Sequence, residues 1–345
     1  MRQISPQALT DYIAAIFTAV GTPAGTAHLV ARSLVGANLA GHDSHGVIRT
    51  AQYVTYVENE MLLPAIEPVV TSQEGAISQV DGRHGFGQLT AQFGMAHTIA
   101  VTREHGLAAT TLLNANHIGR VGEWVELAAR ENQIGIAFCN GGSPGGLVAP
   151  HGGRQRLLGT NPFAAAVPIA DDDPFVLDFA TSVVAEGKVR VARNKELPLP
   201  DGWILDKTGQ PSNNPNDLYD QGMLLTAGLY KGFALSMLVD LLGGILTGQG
   251  APALPRSTRF YNGVLFISLD IQKFRNVAEF LAEAREYADI VRANPARDGY
   301  DGVLIPGDPE RRSAAARTEA IPLDDNTWLQ IGEVAERYGV AVPTI

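Results

Sequence analysis

Strand-like and helix-like segments alternate loosely through the middle of this 345-residue chain, and no clean βαβ run emerges from them. The glycine fingerprint G-x-G-x-x-G, which opens a Rossmann dinucleotide site after a strand, is absent. The stretch Gly85-Phe86-Gly87 lacks the third glycine, and no P-loop occurs. The pattern therefore predicts a mixed α/β (α+β), enzyme-like fold, and by itself it does not predict a dinucleotide. The predicted strands are 69–70, 77–82, 108–113, 134–139, 163–169, 175–180 and 265–270, with helices over 87–106 and 119–131.

Both ends of the chain have helical patterns. Ser5-Pro6 is a helix cap with proline at the first helical position, and apolar residues at helical spacing follow it. The last helix is predicted over 322–338. We therefore expect a helical module over residues 1–62, joined by C-terminal helices of about 275–345. A mixed α/β cofactor- and substrate-binding region is expected over 63–274.

The segment 230–246 is apolar on nearly all sides and predicts a strongly buried helix. Burial in the core of one chain and burial between two subunits both satisfy this pattern, so the sequence leaves the choice open. Residues 197–217, in contrast, contain four prolines and predict a long turn-rich insertion.

Composition limits the partners. The net charge of −10 argues against nucleic acid or an anionic membrane, because both reward basic patches. The one cysteine, Cys139, allows no intramolecular disulfide and lies in a strand-like segment. No signal peptide is visible, and the apolar run 232–246 is too short to span a bilayer. We therefore expect a cytoplasmic protein.

The segment Ser44-His45-Gly46-Val47, with Arg49 close behind, carries the chemistry. A hydroxyl can fix which nitrogen of an imidazole bears the proton, and a guanidinium can hold a carboxylate with two parallel hydrogen bonds. These groups suit a small carboxylic acid whose neighbouring carbon or oxygen exchanges a proton. A second imidazole, His117, lies in another polar turn that ends at Gly119-Arg120.

The same residues also allow simpler roles. Serine, histidine and glycine are ordinary turn residues. His42 and His45 form an HxxH pair, but no later cluster completes a zinc site, so we expect no metal. A Ser/His hydrolase using Ser44 or Ser143 is a different-class alternative, although the G-x-S-x-G pattern is absent.

Longer stretches together resemble one family, the malate/L-lactate dehydrogenase type 2 family, over essentially the whole chain. Within it the chain looks closest to the hydroxycarboxylate dehydrogenases. The stretches that carry the resemblance are Gly41 to Tyr53, Asn116-His117-Ile118-Gly119, Gly159-Thr160-Asn161-Pro162, Leu177 to Ser182 with Gly187-Lys188, Lys231-Gly232 and Leu304 to Asp308.

The resemblance implies an NAD(P)-dependent oxidoreductase that interconverts 2-hydroxy acids and 2-keto acids by hydride transfer. It also implies a non-Rossmann cofactor fold and a homodimer. NAD is the expected cofactor, because a carboxylate at Asp178 near a ribose would repel the 2′-phosphate of NADP. NADP remains the alternative. Reduction of a cyclic imino acid or a keto sugar acid is the alternative within the family.

The resemblance also assigns roles to single residues. His45 and His117 compete for the acid/base role, and Ser44 orients His45. Substrate binding falls to Arg49 as the carboxylate clamp, with Tyr53 and Thr160. The expected cofactor-binding residues are His45, Gly119, Arg120, Val121, Asp178, Phe179, Ala180, Lys188, Lys231, Gly307 and Asp308.

Overall fold

A computed structural model describes residues 2–141, 144–194, 196–256 and 259–343. The helices are α1 (Pro6–Ala19), α2 (Ala24–Leu39), α3 (Thr50–Glu58), α4 (Gly87–His105), α5 (Val121–Arg130), α6 (Glu186–Asn194), α7 (Pro215–Tyr219), α8 (Tyr230–Val239), α9 (Val277–Arg292), α10 (Asp308–Ala316) and α11 (Asp325–Arg337). The strands are β1 (Arg2–Ile4), β2 (Val69–Glu74), β3 (Ile77–Asp81), β4 (Leu107–Ala115), β5 (Gln133–Cys139), β6 (Phe163–Val167), β7 (Phe175–Phe179), β8 (Ile204–Leu205), β9 (Pro211–Ser212), β10 (Met223–Leu224), β11 (Gly250–Ala251), β12 (Leu254–Pro255), β13 (Asn262–Asp270) and β14 (Ile321–Leu323).

A seven-stranded mixed sheet in the order β2-β3-β4-β13-β5-β6-β7 is the centre of the molecule. Only β3 and β4 pair in parallel among the described strands; the other neighbours are antiparallel. β13 is the central strand, so Phe266 lies opposite both Thr110 and Ala137. Helices α4 and α5 pack on this sheet and bury an apolar core with it. The predicted mixed α+β class is confirmed.

A second apolar core joins the two ends of the chain. Residues of α1, α2 and α3 pack with residues of α11 in this core, among them Phe17, Leu34 and Ile331. β1 pairs with β14, so Arg2 lies opposite Leu323. The prediction of a helix from residue 322 is therefore wrong at its start: α11 begins after Asp324, whose side chain caps it. The proposed domain boundaries remain a prediction.

A third, smaller core includes part of the segment 197–217 that we expected to be mostly turns, because Leu199 and Ile204 are buried in it. The short strands β8, β9 and β10 form a three-stranded sheet, and α6 and α7 pack beside it. Val189 of α6 and Leu218 of α7 are buried there. Helix α6 was not predicted, because it offers few apolar residues besides Val189 and Val191.

The apolar helix predicted over 230–246 forms as α8 and a following π-helical turn, Asp240–Ile245. It is not buried on most sides, which corrects that expectation for the single chain. Its small residues face the sheet: a Cβ atom at Gly243 would lie 2.6 Å from the carbonyl oxygen of Phe138. The outward side is apolar and exposed at Tyr230, Met237, Leu238, Leu241, Ile245 and Leu246. Within the described ranges, no helix combines the length and apolarity that crossing a membrane requires.

Candidate active site

The Ser-His-Gly segment forms two short 3₁₀ turns, Asp43–His45 and Val47–Arg49, between α2 and α3. Asn38 of α2 holds both turns: its side-chain amide donates to Asp43 at 2.7 Å, and its Oδ1 accepts from the Val47 N–H at 2.8 Å. A Cβ atom at position 46 would lie 2.2 Å from Asn38 Oδ1, so glycine is required there. This framework fixes the direction in which the neighbouring side chains leave the backbone.

His45 lies over the second predicted histidine. The two rings stack with centroids 5.4 Å apart and planes 19° from parallel, and Nδ1 of His45 is hydrogen-bonded to Ser44 Oγ at 3.1 Å. Burial, with the positive charge of Arg49 as the next contribution, lowers the pKa of His45 to about 3. His45 is therefore a neutral imidazole in the free protein, and the structure brings Ser44, His45 and His117 together.

His117 occupies the turn between β4 and α5. Its Nδ1 lies 2.6 Å from the Tyr53 hydroxyl, and the Phe260 ring lies beside it, with the centroids 6.2 Å apart. Asn262 of β13 anchors the turn, because its Oδ1 accepts from the Ile118 N–H at 3.1 Å. Burial, followed by the charge of Arg49, lowers the pKa of His117 well below its usual value.

Arg49 points into the same region, and its protein contacts leave part of the guanidinium free. The Nε–H donates to the carbonyl oxygen of Ser44 at 2.7 Å, and Nη1 donates to Gln52 Oε1 at 2.8 Å. Gln52 in turn donates to the Tyr56 hydroxyl at 2.7 Å. No protein acceptor bonds to Nη2 among the described residues, so this end of the fork can take an anion.

Two predicted cofactor residues, Arg120 and Asp178, meet at the start of α5. The backbone N–H of Gly122 donates to Asp178 Oδ2 at 2.7 Å, so this carboxylate caps the helix. Arg120 is paired with Glu126 at 2.9 Å, and burial raises the pKa of Asp178. One oxygen of Asp178 and part of the Arg120 guanidinium therefore already serve α5, which limits what they offer a ligand.

Several other predicted residues flank this centre. Gly119 has a left-handed φ of +78° and lies two residues before buried Val121, at which α5 begins. Lys188 is exposed on α6, directly after Gly187, where an added Cβ would lie 2.6 Å from Ser44 Cβ. Phe179, at the end of β7, and Ala180 continue directly from Asp178 along the chain.

The remaining predicted residues have structural contacts of their own. Thr160 accepts two hydrogen bonds from Thr181 through its carbonyl oxygen. Lys231 is exposed in the first turn of α8. Gly307, with φ of +100°, precedes Asp308, whose carboxylate pairs with Arg292 at 2.7 Å and with Arg311 at 2.6 Å. These pairs hold the pKa of Asp308 far below its usual value, so it is a structural ion-pair partner in this state.

His42 does not pair with His45. Its Nε2 lies 3.2 Å from Glu310 Oε1 of α10, with both side chains about one-quarter exposed. Among the residues that the structure describes, no group of three or more His, Cys, Asp or Glu side chains could hold a metal ion. Ser143, one serine of the hydrolase alternative, lies outside the described residues, and no carboxylate is hydrogen-bonded to His45 within them.

Sequence reasoning missed four side chains that shape the site. Gln88 donates to the Tyr53 hydroxyl at 2.9 Å, and Ser33 of α2 donates to Glu123 Oε2 at 2.7 Å. Asn262 approaches from the start of β13, and Phe260 approaches from the loop before that strand. All four act across long sequence separations, so no local pattern marks them.

The site thus combines two neutral imidazoles with a partly free guanidinium, groups that can exchange a proton and hold an anion. Residues 4–332 match the model of the malate/L-lactate dehydrogenase family. The chain therefore belongs to the malate/L-lactate dehydrogenase family, and the resemblance seen in the sequence is confirmed.

Individual relatives agree over nearly the full length. The chain is 36% identical over 347 residues to hydroxycarboxylate dehydrogenase B of Escherichia coli (strain K12), covering 98% of this chain and 95% of the relative. It resembles the structure of sulfolactate dehydrogenase from Methanocaldococcus jannaschii, at 30% identity and a TM-score of 0.88, over 98% of both chains. It also resembles Δ1-piperideine-2-carboxylate reductase from Pseudomonas syringae, at 28% identity and a TM-score of 0.85, over 97% of this chain and all of that one.

Proposed function

We propose that the protein interconverts a small 2-hydroxycarboxylic acid and the corresponding 2-keto acid, with NAD or NADP as the hydride carrier. The observation that carries this proposal is the stacked His45–His117 pair beside Arg49, in a member of a hydroxy-acid dehydrogenase family. Oxidation of such an acid requires a base for the hydroxyl proton and a cation for the carboxylate. Hydroxycarboxylate dehydrogenase B and sulfolactate dehydrogenase, both similar to this chain, have names that fit this substrate class.

We assign the proton transfer to His117. Its Nδ1 is held by Tyr53, so its Nε2 is the nitrogen that remains to exchange a proton with the substrate oxygen. The supporting phenol is buried and is itself bonded to Gln88, so the imidazole has one defined orientation. His45, oriented by Ser44, lies at stacking distance and is the second imidazole beside the proposed substrate.

The substrate carboxylate tunes both imidazoles. In the free protein the charge of Arg49 helps to lower the pKa of His45 and of His117. Burial is the larger cause of both pKa shifts. A carboxylate bound to the guanidinium would offset its charge, so only the Arg49 contribution to the lowered pKa values would become smaller.

Arg49 grips the carboxylate end-on. The Nε–H bonds to Ser44 and one N–H of Nη1 bonds to Gln52. Both N–H groups of Nη2 and the other N–H of Nη1 therefore remain to bond the carboxylate. The two occupied donors hold the guanidinium plane in place. The substrate carboxylate therefore meets a pre-oriented fork, which sets the face of the reacting carbon.

We propose that a nicotinamide cofactor binds next to these histidines, where it would supply or accept the hydride. Lys188 and Lys231 are exposed cations without an ion-pair partner among the described residues, so either can meet a phosphate. The cited contact occupies one oxygen of Asp178, and we propose that the other accepts from a ribose hydroxyl, which would favour NAD over NADP. Because β3–β4 is the parallel pair of the described sheet, we infer a non-Rossmann cofactor site.

Reduction of a cyclic imino acid is the second candidate. It is favoured by the likeness to Δ1-piperideine-2-carboxylate reductase. An imine nitrogen next to a carboxylate presents the same pair of groups to Arg49 and His117 as a keto acid does. A keto sugar acid would use the same contacts, whereas the hydrolase alternative has no support from the family to which the chain belongs.

We also propose a homodimer, with the exposed apolar side of α8 and its π-helical turn as the interface. This surface is apolar at Met237, Leu241 and Leu246, and each of these side chains is about half exposed. Soluble monomers rarely present a continuous apolar surface of this kind. We place the protein in the cytoplasm, where both nicotinamide cofactors are available.

The test is a spectrophotometric panel at 340 nm with NADH and NADPH. The acceptors are pyruvate, oxaloacetate, hydroxypyruvate, phenylpyruvate, a 2-keto sugar acid and Δ1-piperideine-2-carboxylate. Turnover with a keto acid supports the main proposal, and turnover with the imino acid alone supports the second. No oxidation of either cofactor with any acceptor, in a protein whose melting temperature the cofactor raises, would refute both.

A further inference from the structure

Gln88 is a wholly buried polar side chain in the first turn of α4, directly behind the Tyr53–His117 pair. Its Nε2 donates to the Tyr53 hydroxyl at 2.9 Å. Its Oε1 is buried without a hydrogen-bond partner among the described residues. An amide with an unsatisfied carbonyl oxygen weakens a core, so packing alone does not explain a glutamine here. What Gln88 contributes is the N–H that it presents to the phenol.

The backbone around Gln88 is built to bring it there. Gly87 packs directly on the histidine turn, where an added Cβ would lie 2.2 Å from the carbonyl oxygen of Asn116. The preceding residues Arg83 and His84 both adopt a left-handed φ, of 50° and 64°. Such backbone is unfavourable for residues with side chains and persists only where the surroundings impose it.

The hydrogen bonds define a chain with one direction. The phenol of Tyr53 accepts from Gln88, and its single proton has two possible acceptors on His117: Nδ1 at 2.6 Å and the carbonyl oxygen at 3.5 Å. The contact with Nδ1 has the length of a strong hydrogen bond and the contact with the carbonyl oxygen does not, so the phenol donates to Nδ1. A neutral imidazole that accepts at Nδ1 carries its proton on Nε2.

We propose that Gln88 is a positioning residue that, through Tyr53, holds His117 in the tautomer with its proton on Nε2. This tautomer presents an N–H donor towards the substrate oxygen. When that proton passes to the oxygen of a keto acid during reduction, the Tyr53 hydroxyl passes its proton to Nδ1, and the Gln88 N–H stabilises the phenolate that remains. The inference rests on the proposed role of His117 as acid/base. If the amide donor is removed, Tyr53 becomes a better acceptor for Nδ1–H, which favours the other tautomer and the imidazolium.

Kinetics of Gln88→Met test the proposal. We expect kcat to fall roughly 10- to 100-fold, the usual effect of losing a partner that orients a functional histidine, with the KM of the substrate nearly unchanged. The acid limb of the pH profile for oxidation should move to higher pH. Oxidation needs the deprotonated Tyr53–His117 pair to accept the substrate proton, and without the Gln88 N–H its phenolate is less stable. Gln133→Met is the matched control: Gln133 is also buried, bonded to Ile99 and Ser268, away from the histidines. It should leave the pH profile in place.

A double-mutant cycle separates positioning from structural damage. In a Tyr53→Phe background the phenol is absent, so Gln88→Met should lower kcat no further. Additive losses in the cycle, or a pH profile that does not move, would overturn the proposal.

The tautomer can also be read without turnover. Nitrogen-15 spectra of the histidines, with the His117 signals identified from His117→Gln, should show a pyridine-like Nδ1 in the wild type and its loss in Gln88→Met. An unchanged tautomer in Gln88→Met refutes the positioning role. A changed tautomer together with an inactive wild type would instead refute the proposed function.

Discussion

The phenolic oxygen of Tyr53 lies 2.6 Å from Nδ1 of His117, although the two residues are 64 positions apart in the chain. This contact ties α3 of the helical part to the turn between β4 and α5 of the sheet. The pocket therefore depends on the packing between two apolar cores, and a shift of either one would displace the imidazole.

Replacement of His117 by alanine should lower kcat by about 100-fold or more, because a general acid/base is lost. His45→Ala should reduce kcat on the same scale, because its ring stacks on that of His117. Steady-state rates at 340 nm with the preferred acceptor measure both effects. His97→Ala is the matched control, since its ring is bonded to Ser78 Oγ at 2.9 Å and lies on α4 away from the site. A His117→Ala enzyme with a kcat close to that of the control would refute the assignment.

Arg49→Lys should raise the KM of the acid substrate about 10- to 100-fold, the scale of a lost charge-assisted hydrogen bond. An ammonium cannot bond Ser44 and Gln52 while it offers a fork to a carboxylate. Cofactor affinity, measured by calorimetry, should stay the same. Arg103→Lys, on the exposed pair with Glu131, serves as the control. A large loss of nucleotide affinity would move Arg49 into the cofactor site.

Much of the site could be predicted because its first part is local. Ser44, His45 and Arg49 lie within six positions, so their proximity follows from the sequence itself. His117 required the family motif, since nothing local shows that its ring reaches His45. Gln88 and Asn262 could not be found, because they act through hydrogen bonds across 35 and 144 positions.

In the fold, too, features set by local sequence could be predicted and features that join distant parts of the chain could not. The strands of the central sheet were found from local apolar patterns, whereas the β1–β14 pair joins the two ends of the chain and has no local signal. The burial of α8 was predicted wrongly, because an all-round apolar pattern cannot distinguish a core from an interface. The contact between Asp178 Oδ2 and the Gly122 N–H joins positions 56 apart and likewise has no local signal.

Glu123 should make stability depend on pH between mildly acidic and neutral conditions. It is bonded to Ser33 Oγ at 2.7 Å, and burial raises its pKa to about 7. The unfolded chain loses this proton near its ordinary pKa of about 4.3. The folded state therefore binds more protons between these two values, and stability falls as the pH rises from the unfolded pKa towards the folded one.

Glu123→Gln keeps the Ser33 contact but removes the charge, so it should stabilise the protein at pH 8 by about 1 kcal/mol and have little effect at pH 4. Urea unfolding at the two pH values measures the difference. Glu131→Gln, at an exposed carboxylate that directly follows α5, should show no such dependence. Equal effects of Glu123→Gln at both pH values would show that its carboxyl does not titrate in this window.

The apolar side of α8 should hold two chains together. Leu241 is 50% exposed in the single chain, among other apolar residues of the π-helical turn, and burying such a surface favours association. Light scattering at micromolar concentration should give about twice the chain mass of 36.7 kDa. Leu241→Lys places a charge in this surface and should shift the mass towards one chain, whereas Tyr287→Lys, on the exposed side of α9, should not. A wild-type monomer with full activity would refute the dimer, and an unchanged dimer in Leu241→Lys would place the interface on another surface.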